Sequence, residues 1–120
     1  MKKGCKKYPE FAPPKTIAVD LDGTLVSNGI HGEINSELVA TLRQRKANGF
    51  TLILWSMRGP KACHDVVDHW GLNDLFDHIL SKPGYIVDDK GWNWIQRTRV
   101  LGVDGKLMGE IELMCIKNNS

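Results

Sequence analysis

The stretch "TIAVDLDGTLVSNG", from Thr16 to Gly29, decides the fold of this chain and locates its chemistry. It opens with β-branched and apolar residues, which is typical of a buried strand. Asp20 and Asp22 follow with one leucine between them, and Gly23 allows a tight departure from the strand. Side chains of an extended chain alternate with period 2, so the two carboxylates point the same way. The stretch therefore predicts a strand that delivers two carboxylates to one place.

The composition predicts a single soluble domain. The chain has 120 residues, of which 42% are hydrophobic and 25% charged, and its net charge of +2 is too small to indicate nucleic-acid binding. It contains no run of about 18 apolar residues. Its N-terminal stretch lacks the apolar segment of a signal peptide, which favours a cytoplasmic protein without membrane contact. The odd number of widely spaced cysteines favours reduced thiols over a zinc site or disulfides: Cys5, Cys63 and Cys115.

Residues 1–15 differ in charge from the rest of the chain. They contain five lysines, one glutamate and three prolines, a composition that predicts a flexible basic arm. Such an arm either solubilises the protein or contacts nucleic acid. We therefore expect an arm over residues 1–15 and one folded domain over residues 16–120.

Strand and helix patterns alternate along the rest of the chain. The predicted strands are Thr16–Leu21, Thr51–Trp55, Phe76–Leu80, Tyr85–Val87 and Arg99–Leu101. Helices are predicted from an Asn35 cap to about Asn48, from Pro60 to Gly71, over Gly91–Arg97 and over 107–115. This alternation predicts an α/β protein with a three-layer, Rossmann-like parallel sheet flanked by helices. Ligands of such sheets bind at the carboxyl ends of the strands.

The side chains that follow the predicted strands combine carboxylates, a hydroxyl and cations: Asp20, Asp22, Ser56, Arg58, Lys82, Asp88 and Asp89. Converging carboxylates repel one another, and Mg²⁺, which prefers oxygen ligands, relieves that repulsion. A phosphate ester then finds a metal, cations and hydroxyl or N–H donors for its oxygens. One carboxylate can attack phosphorus. A second carboxylate, two residues on, can protonate the leaving oxygen and later deprotonate water.

Four short motifs resemble those of the haloacid dehalogenase-like superfamily, whose members are mostly Mg²⁺-dependent phosphatases. "DLDGT" at 20–24 resembles the first motif, the serine of "LILWS" the second, the lysine of "SKPGY" the third and "IVDD" at 86–89 the fourth. The motifs occur in family order over about residues 16–101. The resemblance implies a Mg²⁺-dependent phosphomonoester hydrolase that forms an aspartyl phosphate.

The resemblance assigns a role to four residues at the first three motifs. Asp20 is the expected nucleophile and a metal ligand. Asp22 is the expected general acid and base, with its main-chain carbonyl on the metal. Ser56 and Lys82 are expected to hold the phosphoryl group and to neutralise its charge.

Further contacts are expected from five other residues. The resemblance implies that Asp88 binds Mg²⁺ directly and that Asp89 binds it directly or through water. "DDKG" is also good turn chemistry, which is the structural alternative. We expect phosphate contacts from Gly23, Thr24 and Arg58. Contact with the leaving group of the substrate is the alternative contact for Arg58, and a solvated loop position explains this residue equally well.

The resemblance also bears on how the site is covered. Caps of this superfamily are inserted after the first motif or between the second and third. Here Leu25–Glu33 has room only for a small flap, and one helix and one strand fill Gly59–Ser81. We therefore expect a capless protein, similar to a small, often bacterial or phage-borne subset, whose site is open unless an oligomer partner or a macromolecular substrate covers it.

Two other functions stay open. The first is a phosphatase for nucleic-acid ends or another macromolecule, favoured by the missing cap. Trp92 and Trp94, with Lys90, Arg97 and Arg99 nearby, are compatible with a nucleic-acid patch. The second is a non-catalytic module that binds phosphate or a partner; no motif favours it, because every reacting group is present. The sequence does not indicate which phosphorylated substrate is used.

Overall fold

The structure is a computed structural model, and it describes residues 13–27 and 32–106. Its elements are β1 Thr16–Asp20, α1 Ser36–Ala47, β2 Thr51–Ser56, α2 Pro60–Trp70, β3 His78–Ser81 and a 3₁₀ helix Gly91–Arg97. The chain forms two compact units. The first consists of Lys15–Ile86 and Val103–Gly105 and contains all three strands, and the second contains Val87–Gly102.

The three strands form a parallel sheet in the order β1-β2-β3. Asp20 pairs with Trp55, and Ser56 pairs with Ser81, so the strands end at nearly the same level. The sheet therefore brings the residues that follow β1, β2 and β3 to one edge, as parallel strand ends require. This confirms the predicted α/β class.

The core of the first unit lies where the two helices pack on the sheet. Leu52 and Leu54 of β2 are fully buried, while Ile53 between them is only half-buried. Helix α1 contributes Leu38 and Leu42, and further buried side chains come from α2 and the loops: Leu21, Leu25, Val26, Cys63, Val67, Leu72, Leu75 and Phe76. Burial of a large aliphatic side chain stabilises a fold by roughly 1.5–3 kcal/mol, so this cluster holds the sheet and helices together.

Local signals set the ends of both helices. Asn35 caps α1 with its side chain, and Pro60 occupies the first turn of α2, where its missing N–H costs no helical hydrogen bond. Gly71 ends α2 in the left-handed conformation, with φ of 68°. In the described part of the chain, no helix has the length and apolar character needed to cross a bilayer.

Two predicted strands are absent from the described residues. Residues 85–87 form no strand, and Tyr85 and Val87 are almost fully exposed. Residues 99–101 contain a single bridge position, at Leu101, rather than a strand. A β-branched segment becomes a strand only when a neighbouring strand pairs with it, and sequence propensity does not supply that neighbour. The predicted strand Phe76–Leu80 begins later, at His78.

The second unit contains the helix predicted over Gly91–Arg97, which is a 3₁₀ helix. Trp92 is exposed and Trp94 is half-buried, as expected for two residues that cannot share a helix face. The helix predicted over 107–115 and residues 1–12 of the arm lie outside the described residues. The domain boundary at residue 15 stays a prediction.

Replacing Asn35 is expected to destabilise the first unit. Its side chain accepts the N–H of Leu38 at 3.1 Å and donates to the carbonyls of Thr24 at 3.1 Å and Val103 at 2.7 Å. Asn35→Ala loses the cap and both donated bonds, which should lower the free energy of unfolding by about 1–3 kcal/mol. Urea denaturation measures this value. The control Asn73→Ala, at an exposed turn, should change it by less than about 0.5 kcal/mol, and equal effects of the two changes would refute the assignment.

Candidate active site

The two aspartates of the first motif leave the sheet on either side of a buried leucine. Asp20 is the last residue of β1, Leu21 is fully buried, and the side chains of Asp20 and Asp22 are 38% and 37% exposed. Leu21 therefore anchors the turn in the core while both carboxylates stay accessible. The turn closes through Leu25 N–H to Leu21 O at 3.0 Å.

The next residues of this turn take local partners. Gly23 has φ of 78°, which side chains other than glycine rarely adopt, and its N–H donates to the carbonyl of Val26 at 2.8 Å. The hydroxyl of Thr24 lies 3.5 Å from Oδ2 of Asp20 and donates to it. Thr24 therefore touches the candidate nucleophile, whereas the N–H of Gly23 is engaged within the turn.

Ser56, the last residue of β2, is buried and accepts hydrogen bonds from the segments that follow β2 and β3. It is only 2% exposed, and its hydroxyl accepts the N–H of Arg58 at 3.0 Å. Its carbonyl accepts the N–H of Gly59 at 3.0 Å and that of Lys82 at 2.9 Å. One residue thus fixes the loop after β2 and the first residue after β3.

Lys82 places a cation beside the candidate nucleophile. Its Nζ lies 3.7 Å from Oδ1 of Asp20, and both side chains are more than a third exposed. An ion pair of this length and exposure contributes little to stability. The ammonium group is close enough, however, to neutralise negative charge that develops near Asp20.

Arg58 forms a two-pronged ion pair with Asp22. Its Nε donates to Oδ2 and its Nη2 to Oδ1, both at 2.8 Å. The hydrogen bonds and charge of Asp22 raise the pKa of Arg58, which is fully ionised in any case. The sequence predicted a phosphate contact for Arg58. In the structure its guanidinium is instead hydrogen-bonded to the carboxylate of Asp22.

The structure brings six of the predicted site residues together at the sheet edge: Asp20, Asp22, Thr24, Ser56, Arg58 and Lys82. Asp88 and Asp89 belong to the second unit. There Oδ1 of Asp88 accepts the N–H of Lys90 at 2.8 Å, which is the turn chemistry that the sequence offered as the alternative. Metal binding by Asp88 and Asp89 stays a prediction.

The donor groups of the first unit fit a magnesium ion that keeps most of its waters. The described residues contain no cluster of three acidic, histidine or cysteine side chains suited to a metal. Both carboxylate oxygens of Asp22 are bound by Arg58, so its main-chain carbonyl is the oxygen that fits a ligand role. The carboxylate of Asp20 is accessible, and Mg²⁺ is commonly held by only one or two carboxylates.

Cys63 lies within the electrostatic reach of this site, which the sequence did not indicate. It is a fully buried residue of α2. Burial raises the pKa of its thiol above the usual 9.0, the charge of Arg58 lowers it, and the carboxylates of Asp22 and Asp20 raise it further. The thiol is therefore protonated and packs as a small apolar group.

Comparisons with known proteins found one matching family model and individual relatives. The family model described as haloacid dehalogenase-like hydrolase matches residues 17–102. A Bacillus subtilis (strain 168) protein named "Putative phosphatase YxeH" is 29% identical over 90 residues, which are 75% of this chain and 33% of that protein. The chain thus spans about a third of the length of this curated relative. A crystal structure of a protein from Vibrio cholerae is 20% identical in sequence to this chain. The match covers 85% of this chain and 97% of the Vibrio chain, with a TM-score of 0.46.

Cys63 is expected to resist thiol reagents. In a Cys5→Ser, Cys115→Ser protein, where it is the remaining thiol, burial and the raised pKa should slow its reaction with a disulfide reagent at pH 8. We expect a rate at least about 10-fold below that of the same protein in guanidinium chloride. Absorbance of the released thiolate measures both rates, and equal rates would contradict the buried placement.

Proposed function

This chain belongs to the haloacid dehalogenase-like hydrolase family, and from that membership we propose that it hydrolyses phosphate monoesters through a covalent intermediate on Asp20. The observation that carries the proposal is the placement of an accessible Asp20 carboxylate between the ammonium of Lys82 and the hydroxyl of Thr24. A nucleophile with a cation and a hydroxyl beside it is suited to attack a phosphoryl group. The name of the Bacillus relative is in keeping with this chemistry.

The first chemical step is attack by Asp20 on phosphorus. A carboxylate oxygen of Asp20 forms a bond to phosphorus while the ester oxygen leaves, and Asp22 gives that oxygen a proton. Lys82 and the hydroxyls of Ser56 and Thr24 bear the charge of the phosphoryl oxygens. The product of this step is an aspartyl phosphate and a free alcohol.

The second step returns the enzyme to its starting state. A water molecule attacks the phosphorus of the aspartyl phosphate, and Asp22 takes a proton from that water. The bond between Asp20 and phosphorus breaks, so inorganic phosphate leaves and the carboxylate is regenerated. One residue thus serves as acid and then as base.

Magnesium is the cofactor that we propose for this site. Asp20 and the main-chain carbonyl of Asp22 would hold it. When bound, Mg²⁺ would supply positive charge that lets an anionic ester approach a carboxylate.

A macromolecular phosphate ester is the second candidate substrate. The side chains of Asp20, Asp22 and Lys82 are all more than a third exposed. A site with such accessible side chains favours a substrate, or a second copy of the chain, that supplies its own cover. Activity on phosphorylated oligonucleotides with a steep dependence on salt would favour a nucleic-acid end as the substrate.

The reaction class is tested with an aryl phosphate such as 4-nitrophenyl phosphate. We expect hydrolysis that requires Mg²⁺ and falls by more than about 1000-fold in Asp20→Asn, because an amide oxygen is a poor nucleophile. The release of 4-nitrophenolate measures both effects, and circular dichroism checks that the variant is folded.

The control is Asp68→Asn, an exposed aspartate of α2, which should keep activity within about twofold. Full activity in Asp20→Asn would refute the nucleophile. A wild-type protein inert towards aryl, sugar, nucleotide and oligonucleotide phosphates would instead favour a non-catalytic module that binds phosphate or a partner.

A further inference from the structure

We propose that Arg58 is a positioning residue that fixes the orientation of the Asp22 carboxylate. This role deepens the proposed function and rests on it, because Asp22 matters as an acid only if the chain cleaves phosphate esters. It differs from the phosphate contact that the sequence suggested for Arg58. The two roles predict opposite patterns in kinetics.

The geometry of the ion pair supports a role for Arg58 in orienting the carboxylate of Asp22. Each oxygen of Asp22 receives its own donor from Arg58, both at 2.8 Å. A planar guanidinium that bonds both oxygens fixes the plane of the carboxylate as well as its distance. A single ammonium would fix only the distance.

The backbone of Arg58 is itself anchored. Its N–H donates to the buried hydroxyl of Ser56 at 3.0 Å, and the carbonyl of Ser56 accepts the N–H of Gly59 at 3.0 Å. The origin of the arginine side chain is therefore fixed to the end of β2, next to the strand that ends at Asp20. Although 58% of the Arg58 side chain is exposed, both of its ends are held.

The chemical consequence concerns the leaving group. Each oxygen of Asp22 keeps a second lone pair that Arg58 does not engage, and the proton for the leaving ester oxygen is carried there. A misaimed acid slows only reactions that need this proton. Alkyl phosphates need protonation of a basic alkoxide. Aryl phosphates with an acidic phenol leave without help. A phosphate-binding arginine would instead serve both substrates equally.

The kinetic test compares Arg58→Gln and Arg58→Lys on an alkyl phosphate and on 4-nitrophenyl phosphate. The quantity measured is kcat/KM, which covers steps up to departure of the leaving group. We expect Arg58→Gln to lose about 10- to 100-fold on the alkyl ester and less than about threefold on the aryl ester. Arg58→Lys should fall between wild type and Arg58→Gln on the alkyl ester. Equal losses on both esters, with inhibition by inorganic phosphate weakened at least about 10-fold, would overturn the proposal in favour of direct phosphate binding.

A double mutant tests whether Arg58 acts through Asp22. In an Asp22→Asn background, adding Arg58→Gln should change kcat/KM for the alkyl ester by less than about twofold, because the group to be oriented is already lost. A full additional loss would overturn the proposal. Arg43→Gln, which removes an exposed ion pair with Asp74, is the matched control and should leave kcat/KM within about twofold.

A measurement without substrate or metal separates this proposal from the proposed function. The Nε–H resonance of Arg58 in a ¹⁵N-correlated NMR spectrum, assigned by its loss in Arg58→Lys, should shift in Asp22→Asn and stay in place in Asp74→Asn. If the wild type hydrolyses no phosphate ester, the proposed function fails. The resonance shift in Asp22→Asn would then still show that Arg58 contacts Asp22. An unmoved resonance in Asp22→Asn would overturn the positioning role even in an active enzyme.

Discussion

The candidate site depends on the hydrogen bonds of Ser56, the buried residue at the end of β2. Its carbonyl accepts the N–H of Lys82, and its hydroxyl accepts the N–H of Arg58. Those two cations in turn face Asp20 and Asp22. The single contact between Lys82 and Asp20 is exposed and contributes little to stability, so the backbone sets its arrangement. The two-pronged pair of Arg58 and Asp22 adds an orientation of its own to what the backbone sets. Ser56 of the second motif therefore helps to place the two cations that lie beside the aspartates of the first motif.

The sequence predicted the parts of this site that follow from backbone topology. Strands that alternate with helices run parallel, and parallel strands end at one edge, so Asp20, Ser56 and Lys82 were expected to converge. The observed register brings those strand ends together. Helix ends were also predictable, because the Asn35 cap is a local signal that needs no tertiary contact.

Features that depend on tertiary packing or on side-chain orientation were not predictable. The spacing of Asp22 and Arg58 in the sequence does not predict the two-pronged ion pair between them. That pair depends on the rotamers of both side chains. The influence of the site on Cys63 depends on how α2 packs. Tyr85–Val87 has the composition of a strand but no described strand pairs with it, so local propensity gave the wrong prediction there.

The central claim is that Asp20 forms a bond to phosphorus, and trapping that bond tests it most directly. Asp22→Asn should still be phosphorylated by 4-nitrophenyl phosphate, whose leaving group needs no acid, but should hydrolyse the intermediate slowly for lack of a base. After rapid quenching in acid, mass spectrometry of peptides should find one phosphoryl group on Asp20, and none when Asp20 is also replaced by asparagine. Release of 4-nitrophenolate with the Asp20 peptide unmodified, or with the phosphoryl group on another residue, would contradict the account.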